Sequence, residues 1–191
     1  LPTYEQTLDR PILRTGLVQR ILSLLLGVAA LSVSARLSFP HPFAATPVPV
    51  TCQVLVLLIL GLTGTPRRAA ATVAAYLVLG LSGAPVFAWG AGGGVALFGP
   101  TGGYLLGFLP AVYCVAVLRG RNPASLLHNA AAALTGLALI YAAGTAWLAL
   151  WLGDLGAAWR TGVLPFAAPD ALKLIVALAA SVILRRGSHN A

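Results

Sequence analysis

Long apolar runs alternate with short polar or turn-rich junctions along most of this chain. Six runs stand out, at residues 20–39, 50–65, 68–83, 101–118, 126–152 and 169–185. A helix needs about 20 residues to cross the hydrocarbon of a bilayer, with a range near 17–25. The first, fourth and fifth runs meet that length, and the fifth has room to tilt. The second, third and sixth are shorter. The pattern predicts an all-α integral membrane protein with six transmembrane helices. It divides the chain into an N-terminal segment (1–19), a six-helix membrane domain (20–186) and a short tail (187–191).

The few charges give that pattern a direction. Arg10, Arg14 and Arg20 precede the first run, and Arg67 and Arg68 separate the second from the third. Arg119 and Arg121 separate the fourth from the fifth, and Arg185 and Arg186 follow the last. Only Arg36 and Arg160 fall at the alternate junctions. Arginine at every second junction is the positive-inside pattern, which predicts cytoplasmic N and C termini. Removing any one run would move an arginine pair to the outer face, so the bias supports an even number of spans. The outer connections are then residues 39–50, rich in proline, 83–100, rich in glycine, and 153–169, which holds Asp154 and Arg160. Long connections tend to carry function, which makes the outer face the place to look for a ligand.

Composition excludes several classes. Only 8% of residues are charged and 59% are hydrophobic, against roughly 25% charged in a soluble domain. The formal charge of +8 does not indicate nucleic acid, because the arginines sit at run ends rather than on one solvated face. There they meet cytoplasm and anionic headgroups. Cys52 and Cys114 form neither a CxxC nor a zinc-binding spacing with histidine, and read as buried free thiols. The first run lacks the A-x-A-like site of a cleavable signal peptide.

Ionisable residues inside a membrane are costly and are functional suspects by default. Pro169-Asp170-Ala171-Leu172-Lys173 opens the sixth run. Proline suits a first helical turn and a carboxylate is favoured there by the helix dipole. Asp170 and Lys173, three apart, share one face. One reading is a capping carboxylate paired to a snorkelling lysine. The reading preferred here is a pair facing a cavity, since an apolar residue would serve the helix with less desolvation. Arg36 reads as snorkelling to headgroups ahead of any ligand role.

Two further elements lie at outer run ends. In Phe98-Gly99-Pro100-Thr101-Gly102-Gly103-Tyr104, Thr101 is a candidate N-cap and the glycines allow close approach to helix N-terminal N–H groups, which bind anions. Phe87, Trp89 and Tyr104 either wall a pocket or belong to an interfacial aromatic belt. In Thr46-Pro47-Val48-Pro49-Val50-Thr51-Cys52-Gln53, the prolines stiffen the approach to the second helix, where Thr51 and Gln53 offer hydrogen-bonding groups or a simple cap. Small residues at Gly99-xxx-Gly103-xxx-Gly107 and Ala132-xxx-Gly136 read as helix-packing positions. Gly80-Leu81-Ser82-Gly83 imitates the G-x-S-G of rhomboid-type intramembrane proteases. Its serine needs a histidine partner, and His128 falls near the opposite face of the roughly 30 Å hydrocarbon. His41 and His189 fall in a loop and the tail, so no metal cluster forms.

In their order along the chain these segments resemble the BioY family, the biotin-binding S components of energy-coupling factor (ECF) vitamin transporters. The resemblance covers about residues 20–186. It rests on Pro47-Val48-Pro49-Val50-Thr51-Cys52-Gln53, Tyr76-Leu77, Gly83-Ala84-Pro85-Val86-Phe87-Ala88 and Gly99-Pro100-Thr101-Gly102-Gly103-Tyr104-Leu105. Tyr141-Ala142-Ala143-Gly144, Gly162-Val163-Leu164-Pro165-Phe166 and Asp170-Ala171-Leu172-Lys173 continue it.

The resemblance implies the ECF S-component fold in a bacterial inner membrane, with biotin held near the extracellular surface under the outer loops. It implies no enzyme activity and no cofactor in this chain, ATP being used by two ATPase subunits that act with a membrane coupling subunit. It places Ala29, Ala30 and Ser34 on a small-residue face toward that subunit. It assigns substrate binding to Asp170, Lys173, Thr101, Gly102, Gly103, Tyr104, Phe87, Trp89, Thr51 and Gln53. Asp170 would accept from the ureido nitrogens of biotin, Lys173 would meet the ureido oxygen or the tail carboxylate, and the aromatics would cover the rings. The loop Trp89-Gly90-Ala91-Gly92-Gly93-Gly94 lacks a polar side chain, so its contacts would come from backbone or from elsewhere. The competing readings are an S component for another vitamin and a ligand-free membrane assembly subunit.

Overall fold

A computed structural model describes residues 10–39, 46–121 and 125–189. The start of the expected N-terminal segment, half of the 39–50 connection with His41, residues 122–124 and the last two residues lie outside the described residues.

A helix occupies each of the six predicted runs: α1 (Arg10–Arg36), α2 (Gln53–Thr63), α3 (Pro66–Leu81), α5 (Gly102–Arg121), α6 (Leu126–Leu152) and α8 (Ala167–His189). Two more helices lie in the connections, α4 (Gly94–Phe98) and α7 (Leu155–Gly162), with 3-10 turns at Ala88–Gly90 and Leu164–Phe166. Several helices do not end where the apolar runs end. α1 begins ten residues before position 20, and α8 is longer than the predicted sixth run. α2 is only 11 residues, about 17 Å at 1.5 Å per residue, because the chain on its N-terminal side is extended. There Ser38–Phe39 (β1) and Val50–Thr51 (β2) form a short antiparallel pair, Ser38 opposite Thr51.

Local chemistry sets the helix ends. Pro66 stands at the start of α3, where its missing N–H removes no helical bond. The Ser125 side chain accepts from His128 N at the start of α6, and Gly153 ends that helix in the left-handed region (φ 69°), which glycine adopts without strain. The Asp154 side chain then accepts from Gly156 N to start α7.

Among the described residues, four stretches are long and apolar enough to cross a membrane: Gly16–Arg36, Gly102–Gly120, Leu126–Leu152 and Leu155–Leu184. Gln53–Thr63 is apolar but shorter. The chain is a multi-pass membrane protein. α5 and α6 make the most extensive helix contact, and small residues permit it. A side chain on Gly107 would meet Ala143 Cβ at 3.0 Å, and Gly136 faces Val115. The packing expected for Gly103, Gly107 and Gly136 holds. Gly99 instead precedes α5 and packs on the Val95 carbonyl. α2 is wedged between α8 and α5, and α1 lies against α3 and α2.

α1 turns Val28, Leu31, Ser34 and Ala35 inward and leaves Leu22, Leu25, Leu26 and Val33 exposed. Ala29 and Ala30 are exposed, but Ser34 is buried and its carbonyl accepts from Cys52 N. The expectation of one outward small-residue face is corrected accordingly. Ser34 belongs to the inner face because β2 docks on it.

Candidate functional site

The three long connections meet at one end of the bundle. Thr46 Oγ1 donates to the Thr161 carbonyl at 2.7 Å, tying the first to the third. Trp89 N donates to Ser38 Oγ, and the Arg36 guanidinium donates to the Pro85 carbonyl, tying the second to the end of α1. Beneath them lies a cavity of about 140 Å³. Val48, Pro49 and Thr51 line it from the segment before α2, and Gln53 and Val54 from α2 itself. Phe87, Ala88, Trp89 and Ala91 come from the second connection, and Tyr104, Leu105 and Phe108 from α5. Ile140 and Tyr141 of α6, Phe166, and Asp170 and Lys173 of α8 complete the wall, with Ala96 and Thr101.

Asp170 and Lys173 are the charged groups of this wall. The Lys173 ammonium donates to Asp170 Oδ1 at 2.6 Å, with side-chain exposures of 12% and 3%. Tyr141 donates its hydroxyl proton to the other carboxylate oxygen at 2.7 Å. Asp170 sits in the first turn of α8, where its charge is favoured by the helix dipole. Each carboxylate oxygen retains acceptor capacity, and the ammonium has two further protons. The site therefore offers paired acceptors and donors inside a mostly apolar, aromatic enclosure, with Thr51, Gln53 and Thr101 among its polar side chains. The exposed Asp154–Arg160 pair at 3.8 Å is of the kind that contributes little.

Of the ten residues the sequence nominates, Asp170, Lys173, Thr101, Tyr104, Phe87, Trp89, Thr51 and Gln53 line the cavity. Gly102 and Gly103 do not. Gly102 packs on the Leu97 carbonyl, and Gly103 on Trp147 and the Ala143 carbonyl. The absence of a Cβ at both positions permits this close packing. The N–H groups of Gly102 and Tyr104 already donate to the Gly99 and Thr101 carbonyls, which weakens this helix terminus as an anion site. Tyr104 presents its ring, because its hydroxyl donates to the Gly162 carbonyl at 2.9 Å. Phe87 is buried, whereas Trp89 stands at the rim, 61% exposed. Within the second connection, the N–H groups of Phe87, Gly90, Ala91 and Gly93 donate to carbonyls of the protein. That glycine-rich backbone keeps few donors for a ligand.

Tyr141, Phe108, Ile140 and Phe166 line the cavity as well, outside the ten residues nominated from sequence. Tyr141 carried a usable signal, since a phenol inside an apolar span needs a hydrogen-bond partner and Asp170 is a charged one. The aliphatic and phenylalanine positions carried none. Among the described residues no histidine bonds the protease-like serine. Ser82 Oγ donates to Leu79 O, and His128 Nε2 bonds Leu118 O. Among the described residues no group of three metal-ligating side chains forms.

Arg36, expected to reach headgroups, bonds to the protein. Beyond its bond to Pro85 it lies against Gly90, whose φ of +75° and proximity to the guanidinium (2.6 Å from an added Cβ) both disfavour a side chain. Arg36→Ala is expected to loosen residues 85–93 locally, at a cost of about 1 kcal/mol for the lost bond. Amide hydrogen exchange in that segment should accelerate while the melting temperature barely moves. Unchanged exchange would show that the loop's own bonds suffice.

Comparison with known proteins places this geometry in context. A family model described as the BioY family matches residues 6–190. The probable biotin transporter BioY of Pyrococcus horikoshii is 37% identical over 151 residues, covering 79% of this chain and 86% of that protein. The biotin transporter BioY of Thermotoga maritima is 32% identical over 158 residues, covering 83% and 90%. The 2.1 Å crystal structure of the S-component for biotin from an ECF-type ABC transporter superposes with a TM-score of 0.82. It covers 90% of this chain and 93% of that one at 22% identity, a likeness of fold.

Proposed function

This chain belongs to the BioY family, and from that membership we propose that it is the substrate-binding membrane subunit of a biotin uptake transporter. It captures biotin at the extracellular face of a bacterial cell membrane. It delivers biotin inward together with a membrane coupling subunit and two ATPases, which use the ATP. Six helices span the bilayer with both termini cytoplasmic, which puts the cavity at the outer end. The protein binds and carries; it catalyses no reaction.

The observation that carries this reading is the buried Asp170–Lys173 pair opening into an apolar cavity. Biotin offers ureido N–H donors, a ureido carbonyl, an apolar bicycle and a carboxylate tail. Asp170 accepts from the ureido nitrogens in charge-assisted bonds, stronger than neutral ones. Lys173 has donors left for the ureido oxygen or the tail. Phe87, Phe108 and Tyr104 enclose the rings, and Trp89 covers the mouth.

The test is isothermal titration of biotin into the detergent-purified protein, repeated with biotin methyl ester. The expected result is tight 1:1 binding, with a penalty for the ester if a cation meets the tail. Folded protein free of co-purified biotin that binds none would overturn the reading and favour another vitamin.

A further inference from the structure

Tyr76 does not line the cavity, yet it touches three groups around it. The Gln53 side-chain amide donates to its hydroxyl from Nε2 at 2.8 Å. The hydroxyl donates to the Val86 carbonyl at 3.0 Å. The ring meets Phe87 edge-on, with centroids 5.3 Å apart and planes at 87°. Tyr76 is fully buried and Gln53 nearly so, so water does not substitute for these partners.

The direction of the chain of bonds follows from proton counting. A phenol carries one proton, and a carbonyl only accepts. With that proton on Val86 O, the Tyr76 oxygen can only accept from Gln53, so the NH2 end of the amide faces it. If the amide were turned over, its oxygen and the Val86 carbonyl would compete for the one proton. One of the two would then lie undonated against an acceptor in a site closed to water, which is costly. The amide is therefore locked. Gln53 Oε1 has no partner among the described residues, and Gln53 is a wall residue of the cavity.

We propose that Tyr76 is a positioning residue that fixes Gln53 as a hydrogen-bond acceptor toward the bound ligand. Selection follows from this. Asp170 and Gln53 would both present acceptors, so the cavity favours a ligand with more than one N–H donor, as a cyclic urea has. The inference rests on the cavity being the ligand site.

Two measurements test it, one independent of any ligand. The chain has three glutamines, Gln6, Gln19 and Gln53. In unliganded protein labelled with 15N at glutamine side chains, one NH2 group should be protected from solvent exchange. Tyr76→Phe, which keeps the ring and its contact with Phe87, should abolish that protection. Persistence of the protected signal in Tyr76→Phe, or its absence from the unsubstituted protein, overturns the proposal.

The second measurement is a double-mutant cycle of biotin affinity with Gln53→Leu. Tyr76→Phe alone should weaken binding about tenfold, of the order of one hydrogen bond. It should have little further effect in the Gln53→Leu background. An equal loss in both backgrounds would assign Tyr76 to loop structure instead. An unsubstituted protein that shows the protected amide but binds no biotin would overturn the proposed ligand and leave the locked amide standing.

Discussion

Asp170→Ala is expected to abolish tight biotin binding and to destabilise the protein by about 3–5 kcal/mol, the usual cost of breaking a buried ion pair by removing one partner. The substitution leaves the Lys173 ammonium in a site where its side chain is 12% exposed, and it strips the Tyr141 hydroxyl of its acceptor. Asp170→Asn keeps the shape and loses the charge. It should cost roughly 1–3 kcal/mol of biotin affinity. The combined Asp170→Leu, Lys173→Met, Tyr141→Phe variant, which also removes the hydroxyl that would lose its acceptor, separates the two effects. Replacing a buried pair by apolar residues of similar volume is often neutral for stability, so this variant should melt near the unsubstituted protein while binding no biotin. Thermal unfolding in detergent and biotin titration on the same preparations read both quantities. If Asp170→Ala melts like the unsubstituted protein, the pair is solvated and the desolvation argument fails. Unchanged affinity in Asp170→Asn removes that carboxylate from the binding site.

The second large effect belongs to a residue outside the cavity wall. Gly103→Val is expected to cost about 1–3 kcal/mol or more, the range for overpacked interiors. An added Cβ there lies 2.6 Å from the Ala143 carbonyl and collides with Trp147 near its backbone. Neither neighbour is the free end of a flexible side chain, so α5 and α6 must separate. That separation strains the bond from Trp147 Nε1 to the Gly99 carbonyl, 2.9 Å, and shifts Thr101 and Tyr104 in the cavity wall. Stability and affinity should therefore fall together. Gly120→Ala in the same helix is the control. Nothing lies within 4 Å of that position, and alanine is favoured over glycine in a helix by about 0.5–1 kcal/mol. Equal melting temperatures for Gly103→Val and the unsubstituted protein would mean that the helices are not held at this point.

The sequence by itself determined the helical runs, their basic junctions and the Asp170–Lys173 pair. Each is local. Hydrophobic length reports what a bilayer accepts, arginine position is read along the chain, and residues three apart in a helix meet whatever else the fold does. The family resemblance was carried by short ordered motifs and needed no geometry. Tertiary structure alone decided which face of each helix turns inward. In water a polar stripe marks the outer face of a helix, but lipid accepts apolar residues on both sides. Leu31 inside and Leu26 outside α1 therefore look alike in sequence. For the same reason Gly103 reads as a packing position without its partner being legible, and the fold supplies Trp147. The 23-residue separation of Gln53 and Tyr76, and the 29 residues between Tyr141 and Asp170, put both pairings beyond any local periodicity. Buried polar groups must find partners, but which partner depends on how α2, α3, α6 and α8 pack, and only the folded chain fixes that.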